Sequence, residues 1–290
     1  MSIVIVSSTQ DEASTNIKQE ILSLDHWNIV NSFFDKDVYQ HDQLSDVFLI
    51  TIPDKTIIHE NLEQQIKDRL KLDPSQFIFI SRHRSKSGEP TLSTHPIGNF
   101  AQADFGGKSR LLTPAMPQLM TTLLRTMKSK AMEKKLKHEV TFEVTHHGPW
   151  LETPTVFAEV GSTIEEWVKK EPAHVVAESI LSVLHHKRYE SDYDTDIPVL
   201  IGVGGGHYAP RFSKVKLKKK VCFGHMIPSY HIKPGHIDKE MFMRTLDATP
   251  NVSAVYLDRK ALSSSIKSTF ENWCDELSIP LVSSKDFSSF

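Results

Sequence analysis

The sequence has few cysteines and no long apolar segment. Cys222 and Cys274 are the only cysteines in 290 residues, which excludes a disulfide scaffold and a cysteine-based zinc site and fits a reducing compartment. Apolar stretches such as Val47–Ile50 are far shorter than the roughly 20 residues that span a bilayer, so we expect no membrane partner. Because Met1 leads into a strand-like run without a basic leader, we expect no signal peptide and a cytoplasmic location.

The chain also has almost no net charge, because 34 basic residues and 36 acidic residues give a formal charge of −2. Global charge therefore indicates no class of partner. Local charge is more informative, since Lys128–Lys137 and Arg211–Lys220 are two strongly basic runs. Such runs permit contact with a polyanion, and solvated surface faces are the alternative. The 39% of hydrophobic residues excludes a disordered chain.

The chain does contain an alternation of strand and helix patterns. No repeat and no Gly- or Pro-rich linker interrupts it, so we predict an α/β fold in which residues 1–290 form a single elaborated domain. Its central sheet is expected to be mixed, mostly parallel and flanked by helices. The predicted strands are Ser2–Ser7, Asp46–Ile52, Gln76–Ser81, Glu139–Thr145, Thr155–Val160, Ile197–Val203, Val221–His225 and Ser253–Leu257. The predicted helices are Glu12–Leu24, Asn61–Leu70, Pro117–Leu136, Pro172–Lys187, Lys239–Asp247 and Leu262–Leu277.

Polar residues follow the predicted strand Gln76–Ser81, in a segment from Arg82 to Pro114 without clear periodicity. Loops of that length are uncommon unless they are functional, and ligand sites in open α/β sheets gather at the carboxyl ends of strands. The guanidinium groups here suit phosphate, and a basic surface loop is the alternative. The candidate residues of this segment are Arg82, His83, Arg84, Ser85, Lys86 and His95.

Two adjacent histidines, His146 and His147, end the next predicted strand, Glu139–Thr145. Consecutive strand residues point to opposite faces, so a continuing strand cannot direct both rings into one site. A strand end that twists at Gly148–Pro149 is the only way to bring both inward. The position at a strand end favours a functional role over a surface one.

A third segment, Gly202–Arg211, follows the predicted strand Ile197–Val203 and contains three consecutive glycines. Glycines permit positive φ and close approach of a ligand, so their amides are candidates for an anion site, with a simple chain reversal as the alternative. The spacing matches neither a Walker A loop nor a dinucleotide-binding motif. The candidate residues are Gly204, Gly205, Gly206, His207, Tyr208 and Arg211.

Histidine is the residue type that links these segments, because twelve of the fifteen copies lie between His83 and His236. If the sheet is parallel there, four strand ends carry six of these histidines to one edge: His83, His95, His146, His147, His207 and His225. Imidazole is the commonest metal ligand near neutral pH, but no HExxH motif and no Gly-x-Ser-x-Gly elbow is present. Water activation by a metal, a histidine or the substrate is therefore favoured over covalent catalysis. Candidate carboxylate partners are Glu143, Glu152 and Glu159.

Together the motifs SRHRSKSGEPTLSTHPIGNF (Ser81–Phe100), THHGP with TPTVFAEVGST (Thr153–Thr163), and GVGGGHYAPR resemble the archaeal and plant type of D-aminoacyl-tRNA deacylase. The resemblance extends over essentially the whole chain. It implies hydrolysis of the ester between a D-amino acid and the 3′-terminal ribose of several tRNAs, a fold similar to peptidyl-tRNA hydrolase and phosphorylase-like proteins, and zinc as cofactor. Aminoacyl-tRNA is the implied partner, and we expect a monomer.

The residues fit that role as a set of hypotheses. Lysine and arginine contacts supply salt-dependent, largely sequence-independent affinity for tRNA, with both basic runs as candidates for the acceptor stem. Glycine-loop amides are expected to stabilise the oxyanion. The candidate catalytic residues, which are also the candidate zinc ligands, are His95, His146, His147 and His207. The candidate substrate-binding residues are Arg82, His83, Arg84, Ser85, Gly204, Gly205, Gly206, Tyr208 and Arg211.

Two other functions stay open at this point. A nucleoside phosphorylase-like enzyme would use the arginines and glycines to bind phosphate. A non-catalytic tRNA-binding protein would need the basic runs but not histidines and glycines at strand ends.

Overall fold

The computed structural model describes residues 2–186 and 197–289, in two sheets and the helices that cover them. The strands are β1 Ser2–Ser8, β2 Trp27–Phe33, β3 Lys36–His41, β4 Val47–Ile52, β5 Pro74–Arg82, β6 Thr91–His95, β7 Glu139–Phe142, β8 Thr155–Gly161, β9 Val199–Val203, β10 Cys222–Ile227, β11 Val252–Leu257 and β12 Leu281–Val282. The helices are α1 Glu12–Leu24, α2 Leu62–Leu70, α3 Pro117–Glu133, α4 Ile164–Trp167, α5 Lys170–His186, α6 Pro210–Lys218, α7 Ser229–Ile232, α8 Lys239–Asp247 and α9 Ser264–Glu276.

The larger sheet has eight strands in the order β2-β3-β4-β1-β5-β8-β6-β7. Its centre, β4-β1-β5-β8, is parallel, whereas β3 runs antiparallel to β4 and β6 runs antiparallel to β8. The smaller sheet, β10-β9-β11-β12, is parallel throughout. This arrangement confirms the prediction of a mixed, mostly parallel α/β fold.

Helices on both faces of the larger sheet account for its continuous apolar strands. Every residue of β1 and β4 is buried, because an apolar stripe of α1 that includes Ile17 and Ile21 packs on one side of the core. Leu62, Ile66 and Leu70 of α2 join the apolar cluster on the other side. Asp11 begins α1 by accepting a hydrogen bond from the Ser14 amide at 2.8 Å.

Most predicted elements are present with shifted ends, and the differences have physical causes. The hairpin β2–β3 was not predicted, because its outer strand is largely exposed and carries no clear apolar alternation. Strand β6 lies inside the segment predicted as a long loop, since its buried residues are mostly polar. The basic run Arg211–Lys220 is largely helix α6. The last residue of the predicted helix Pro172–Lys187 lies outside the described residues.

The antiparallel strand β6 determines where polar side chains meet. Glu159 of β8 is paired with Ser81 of β5 on one side and with Ser93 of β6 on the other. Directly opposed residues share a face of the sheet, so these three side chains lie together. The predicted meeting at one parallel edge is therefore wrong for His95, because β5 and β6 run in opposite directions and their ends approach Glu159 from two sides. Across the described parts of the chain, no helix has the length and apolar character needed to cross a membrane.

Candidate active site

Two buried carboxylates lie at the centre of the histidine-rich region. Glu143 directly follows β7 with a fully buried side chain, and Glu159 on β8 is 2% exposed. Glu143 Oε2 lies 2.9 Å from His207 Nε2 and 3.1 Å from His83 Nδ1. Glu159 Oε2 lies 3.5 Å from His95 Nε2, and its other oxygen accepts a short hydrogen bond from the Ser81 hydroxyl. Burial of these charges is stabilised by their imidazole and hydroxyl partners.

The remaining histidines form a compact trio, which we define as His95, His146 and His147. Their ring centroids are 4.2 to 4.9 Å apart. Each ring directs Nδ1 to a backbone carbonyl, at 3.1 Å for His95, 2.7 Å for His146 and 3.2 Å for His147. Because a neutral imidazole that donates from Nδ1 keeps a lone pair on Nε2, these contacts favour Nε2 as the acceptor of His146 and His147, whereas His95 Nε2 faces Glu159.

A change of backbone conformation allows His146 and His147 to share this trio. Strand β7 ends at Phe142, earlier than predicted, so the alternation of faces no longer applies at the histidines. His147 has φ of 43°, in the left-handed region. The chain thus turns at His147, one residue before the predicted Gly148–Pro149, and the two rings lie together.

The pKa values of the histidines depend on how close each ring lies to the two carboxylates. Burial alone would lower the pKa of His83, but the carboxylates of Glu143 and Glu159 outweigh burial and raise it to about 11. Burial would raise the pKa of Glu159, but its contacts with the His83 and His95 rings lower it to about 2. Burial would lower the pKa of His95, but the Glu159 carboxylate raises it. In contrast, burial and the neighbouring His95 lower the pKa of His147 to about 4. Burial, with His147 and His95, also lowers the pKa of His146 well below its usual range.

An open cleft of about 860 Å³ reaches the site at His207. Its cationic side chains come from the loop after β5 and from the segment after β11, and His207 is 39% exposed there. Tyr208 lines the same cleft, and its hydroxyl lies 3.0 Å from His83 Nε2. The cleft is lined by Arg84, Ser85, Lys86, Gly205, Gly206, His207, Tyr208, Pro210, Asp258, Lys260 and Ala261.

The triple-glycine loop contributes differently from the sequence-based expectation. Gly204 and Gly205 have φ of 106° and 90°, so glycine is required there for backbone conformation. Their amides are already used, because Gly204 N donates to Ile227 O at 2.8 Å and Gly205 N donates to the Ser229 hydroxyl at 3.0 Å. The expectation that these two amides stabilise an oxyanion is therefore wrong. Gly206 is open, since an added Cβ would meet nothing within 4 Å.

Several residues named from the sequence do not enter the cleft. The Arg82 guanidinium pairs with Glu12 at 2.6 Å. Arg211 donates to the Tyr256 hydroxyl at 3.0 Å and lies outside the residues that line the cleft. Two others also lie apart: His225 is buried between Thr145 and Thr113, and Glu152 is exposed beside Glu63.

Neither basic run lines the cleft. Lys128–Lys137 ends just before β7, at the end of the sheet where β5 also ends, whereas the trio follows the end of β7. Helix α6 begins beside the cleft at Pro210 and carries its later lysines toward the start of β10. The acceptor-stem role of both runs therefore stays a prediction.

Sequence reasoning missed part of the cleft. Asp258 and Lys260 line it from the end of β11, and Ser162 contacts the Tyr208 hydroxyl at 3.3 Å. The signal available was position, because Asp258 directly follows the predicted strand Ser253–Leu257 in the same way as Gly204 follows Ile197–Val203. No motif marks these residues individually.

Comparison with known proteins agrees with the motifs. The profile of the D-aminoacyl-tRNA deacylase family matches residues 70–282. A D-aminoacyl-tRNA deacylase of Pyrococcus furiosus is 33% identical over 282 residues, which cover 96% of this chain and 98% of the relative. One of Methanococcoides burtonii is 36% identical over 290 residues, which are 99% of this chain but 57% of that longer relative.

A solved structure agrees as well. The crystal structure of a conserved protein of unknown function superposes with a TM-score of 0.87 at 29% identity, covering 99% of this chain and 98% of that one. The family profile matches more than half of the chain, and the Pyrococcus relative is matched along nearly its whole length. The chain therefore belongs to the D-aminoacyl-tRNA deacylase family, an enzyme family, as the motifs predicted.

Proposed function

We propose that this protein hydrolyses the ester between a D-amino acid and the 3′-terminal ribose of tRNA, releasing free D-amino acid and reusable tRNA. The observation that carries the proposal is the meeting of His207, backed by the buried Glu143 at 2.9 Å, with a cationic cleft. Such a cleft suits a polyanion that bears one reactive ester.

Affinity for tRNA is assigned to the cationic residues of the cleft. Arg84, Lys86 and Lys260 face the space in front of His207. Contacts between these side chains and phosphates do not depend on base identity, which suits an enzyme that accepts several tRNAs. Gly206 leaves room for the ribose or the aminoacyl group to lie against the backbone.

His207 is the proposed general base. Its Nε2 faces Glu143, which leaves Nδ1 as the acceptor for a proton from water. The water oxygen bonds to the ester carbonyl carbon while its proton moves to His207, and His207 then protonates the departing ribose oxygen as the ester bond breaks. Glu143 stabilises the imidazolium that forms between the two steps.

The trio is the proposed zinc site. His95 Nε2 is buried without a hydrogen-bond partner among the described residues, and the three rings have ligand atoms within 4.8 Å of one another. His146 Nε2, an acceptor, lies 3.5 Å from the acceptor Glu143 Oε2, an arrangement that a cation between them would favour. Carbonyl contacts at Nδ1 are also the usual partners of zinc-binding histidines. A zinc ion bound there would supply Lewis-acid polarisation close to the ester.

His207 is left out of the proposed ligand set, although it was a candidate ligand on sequence. Its Nε2 is directed to the Glu143 carboxylate at 2.9 Å, a partner that suits proton transfer. We also propose that the protein is a monomer of one domain and is located in the cytoplasm. Two buried cysteines that form no disulfide are consistent with a reducing compartment.

The test is to incubate the protein with matched D- and L-aminoacyl-tRNA and to measure the loss of the ester bond over time. We expect rapid loss from the D-substrate alone. Phosphate-dependent cleavage of a free nucleoside would instead support a phosphorylase, and tRNA binding without any turnover would support a non-catalytic protein. Either result contradicts the proposal.

A further inference from the structure

The proposed reaction does not explain one exposed aromatic ring next to the trio. Phe105 lies in the long connection between β6 and α3, and its side chain is 68% exposed, the largest exposure among the big hydrophobic residues described. Its carbonyl accepts a hydrogen bond from the Gly148 amide at 3.3 Å. Gly148 is the residue after His147, so the backbone of Phe105 lies beside the trio.

The segment that carries Phe105 is held rigidly by backbone contacts. Gly106 and Gly107 both have φ of 83°, and a Cβ on Gly106 would overlap the Ile57 carbonyl. Asn99 Nδ2 donates to Gly106 O at 2.9 Å. Glu60 accepts from the Gly107 amide at 2.8 Å and, with its other oxygen, from the Trp150 amide at 3.3 Å. The backbone that carries Phe105 is thus fixed in place while its ring remains in solvent.

The neighbouring aromatic ring is already occupied. Lys108 Nζ lies 3.6 Å from the centroid of Trp150, a close cation–π contact that covers one face of the indole. Phe100 is fully buried. Within residues 2–186 and 197–289, Phe105 has no ring contact with another aromatic residue, so it is the ring beside the trio that can stack with a ligand.

The arrangement matches the shape of a 3′-terminal nucleotide. From its ribose, the esterified hydroxyl, the base and the 5′-phosphate point in three directions. The cleft at His207 offers Arg84 and Lys86 to phosphate. Beside the trio, Phe105 offers an apolar face, and Lys108 lies over the neighbouring Trp150. The 3′ end of tRNA is single-stranded, and proteins bind such strands by combining cationic contacts with aromatic rings on which bases stack.

We propose that Phe105 stacks on the terminal base of tRNA and so positions the ester over the histidines. This inference rests on the proposed function for the identity of the substrate. It makes Phe105 a positioning residue, because its ring holds the base and does not touch the reacting ester. Stacking on a base by one aromatic residue corresponds to about a tenfold gain in affinity.

The test is a double-mutant cycle in binding, which needs no catalysis. The affinity of wild-type protein and of Phe105→Ala is measured for uncharged tRNA and for the same tRNA with an abasic 3′-terminal nucleotide. We expect either change alone to weaken binding about tenfold and the two together to cost no more than one. Phe105→Tyr should restore the affinity, and Phe105→Leu should not. Because the ring is exposed, every variant should keep the wild-type thermal midpoint.

Ile29→Ala is the matched control, since Ile29 is 62% exposed on the distant edge strand β2. It should bind both tRNAs as wild type does. Additive losses, or an unchanged affinity in Phe105→Ala, would overturn the inference. Deacylation is assayed separately, so a protein that hydrolyses D-aminoacyl-tRNA but gives additive losses contradicts the role of Phe105 and leaves the proposed function standing.

Discussion

The site has two halves that use the same side chain for different chemistry. In the trio, His95, His146 and His147 each direct Nδ1 to a backbone carbonyl. Around Glu143, His83 and His207 direct a ring nitrogen to a carboxylate. A carbonyl partner orients an imidazole without a full charge, whereas a buried carboxylate favours the protonated ring. The rings with carbonyl partners are therefore suited to binding a metal, and the rings with carboxylate partners are suited to proton transfer.

Replacing Glu143 with glutamine should give the largest effect, because it removes the charge that the proton-transfer half depends on. We expect the single-turnover rate to fall about 10³-fold, and the free energy of unfolding to fall by about 3 kcal/mol because His83 loses a buried partner. Quenched-flow deacylation and urea unfolding measure the two losses. A variant that keeps the wild-type rate would remove Glu143 from the mechanism.

Metal content should separate the halves directly. His147→Ala should lose bound zinc and about 10²-fold in rate, whereas His207→Ala should lose a similar factor in rate but keep the zinc. Metal analysis of the purified variants, with chelated wild type as reference, tests the difference. Equal zinc content in both variants, or full activity of the metal-free protein, would contradict the assignment of the trio.

The sequence was sufficient for the fold class and for most buried elements. Helices α1 and α8 begin and end where the periodicity predicts, because an apolar stripe and a capping aspartate at each start are both local signals. Strand β6 gave no such signal, since Thr91, Ser93, Thr94 and His95 are buried polar residues. Strands built to hold a polar site lose the hydrophobic pattern by which strands are recognised.

The composition of the site could be predicted in part, but its internal contacts could not. The histidines were found from their positions after strands. Their division between carbonyl and carboxylate partners depends on the antiparallel register that places His95 opposite Phe157, two residues from Glu159. A register is a tertiary property, and no local pattern in Thr91–His95 specifies its partner strand. Phe105 was missed for a related reason, because exposure of a single ring is not encoded in its neighbours.

The dependence of stability on pH offers a milder test of the carboxylate half. The pKa of His83 in the folded protein is about 11, above its ordinary value of 6.5, so its contribution is fully present below pH 6.5 and is lost as the pH rises toward 11. The stability difference between wild type and His83→Gln should therefore shrink by up to about 1 kcal/mol per pH unit across that range. Urea unfolding at pH 6, 8 and 10 measures it. A difference that stays constant would mean that His83 is neutral.

The smallest expected effect concerns which basic residues meet the tRNA. Arg84 lines the cleft two residues after β5 ends, whereas Lys71 is exposed three residues before β5 begins, at the opposite end of that strand. Arg84→Ala should weaken tRNA binding a few-fold for every tRNA and reduce the slope of log affinity against log salt by about 1, because one phosphate contact is lost. Lys71→Ala, which removes the same charge, should change neither quantity. If the two variants lose equally, net charge rather than the cleft determines affinity.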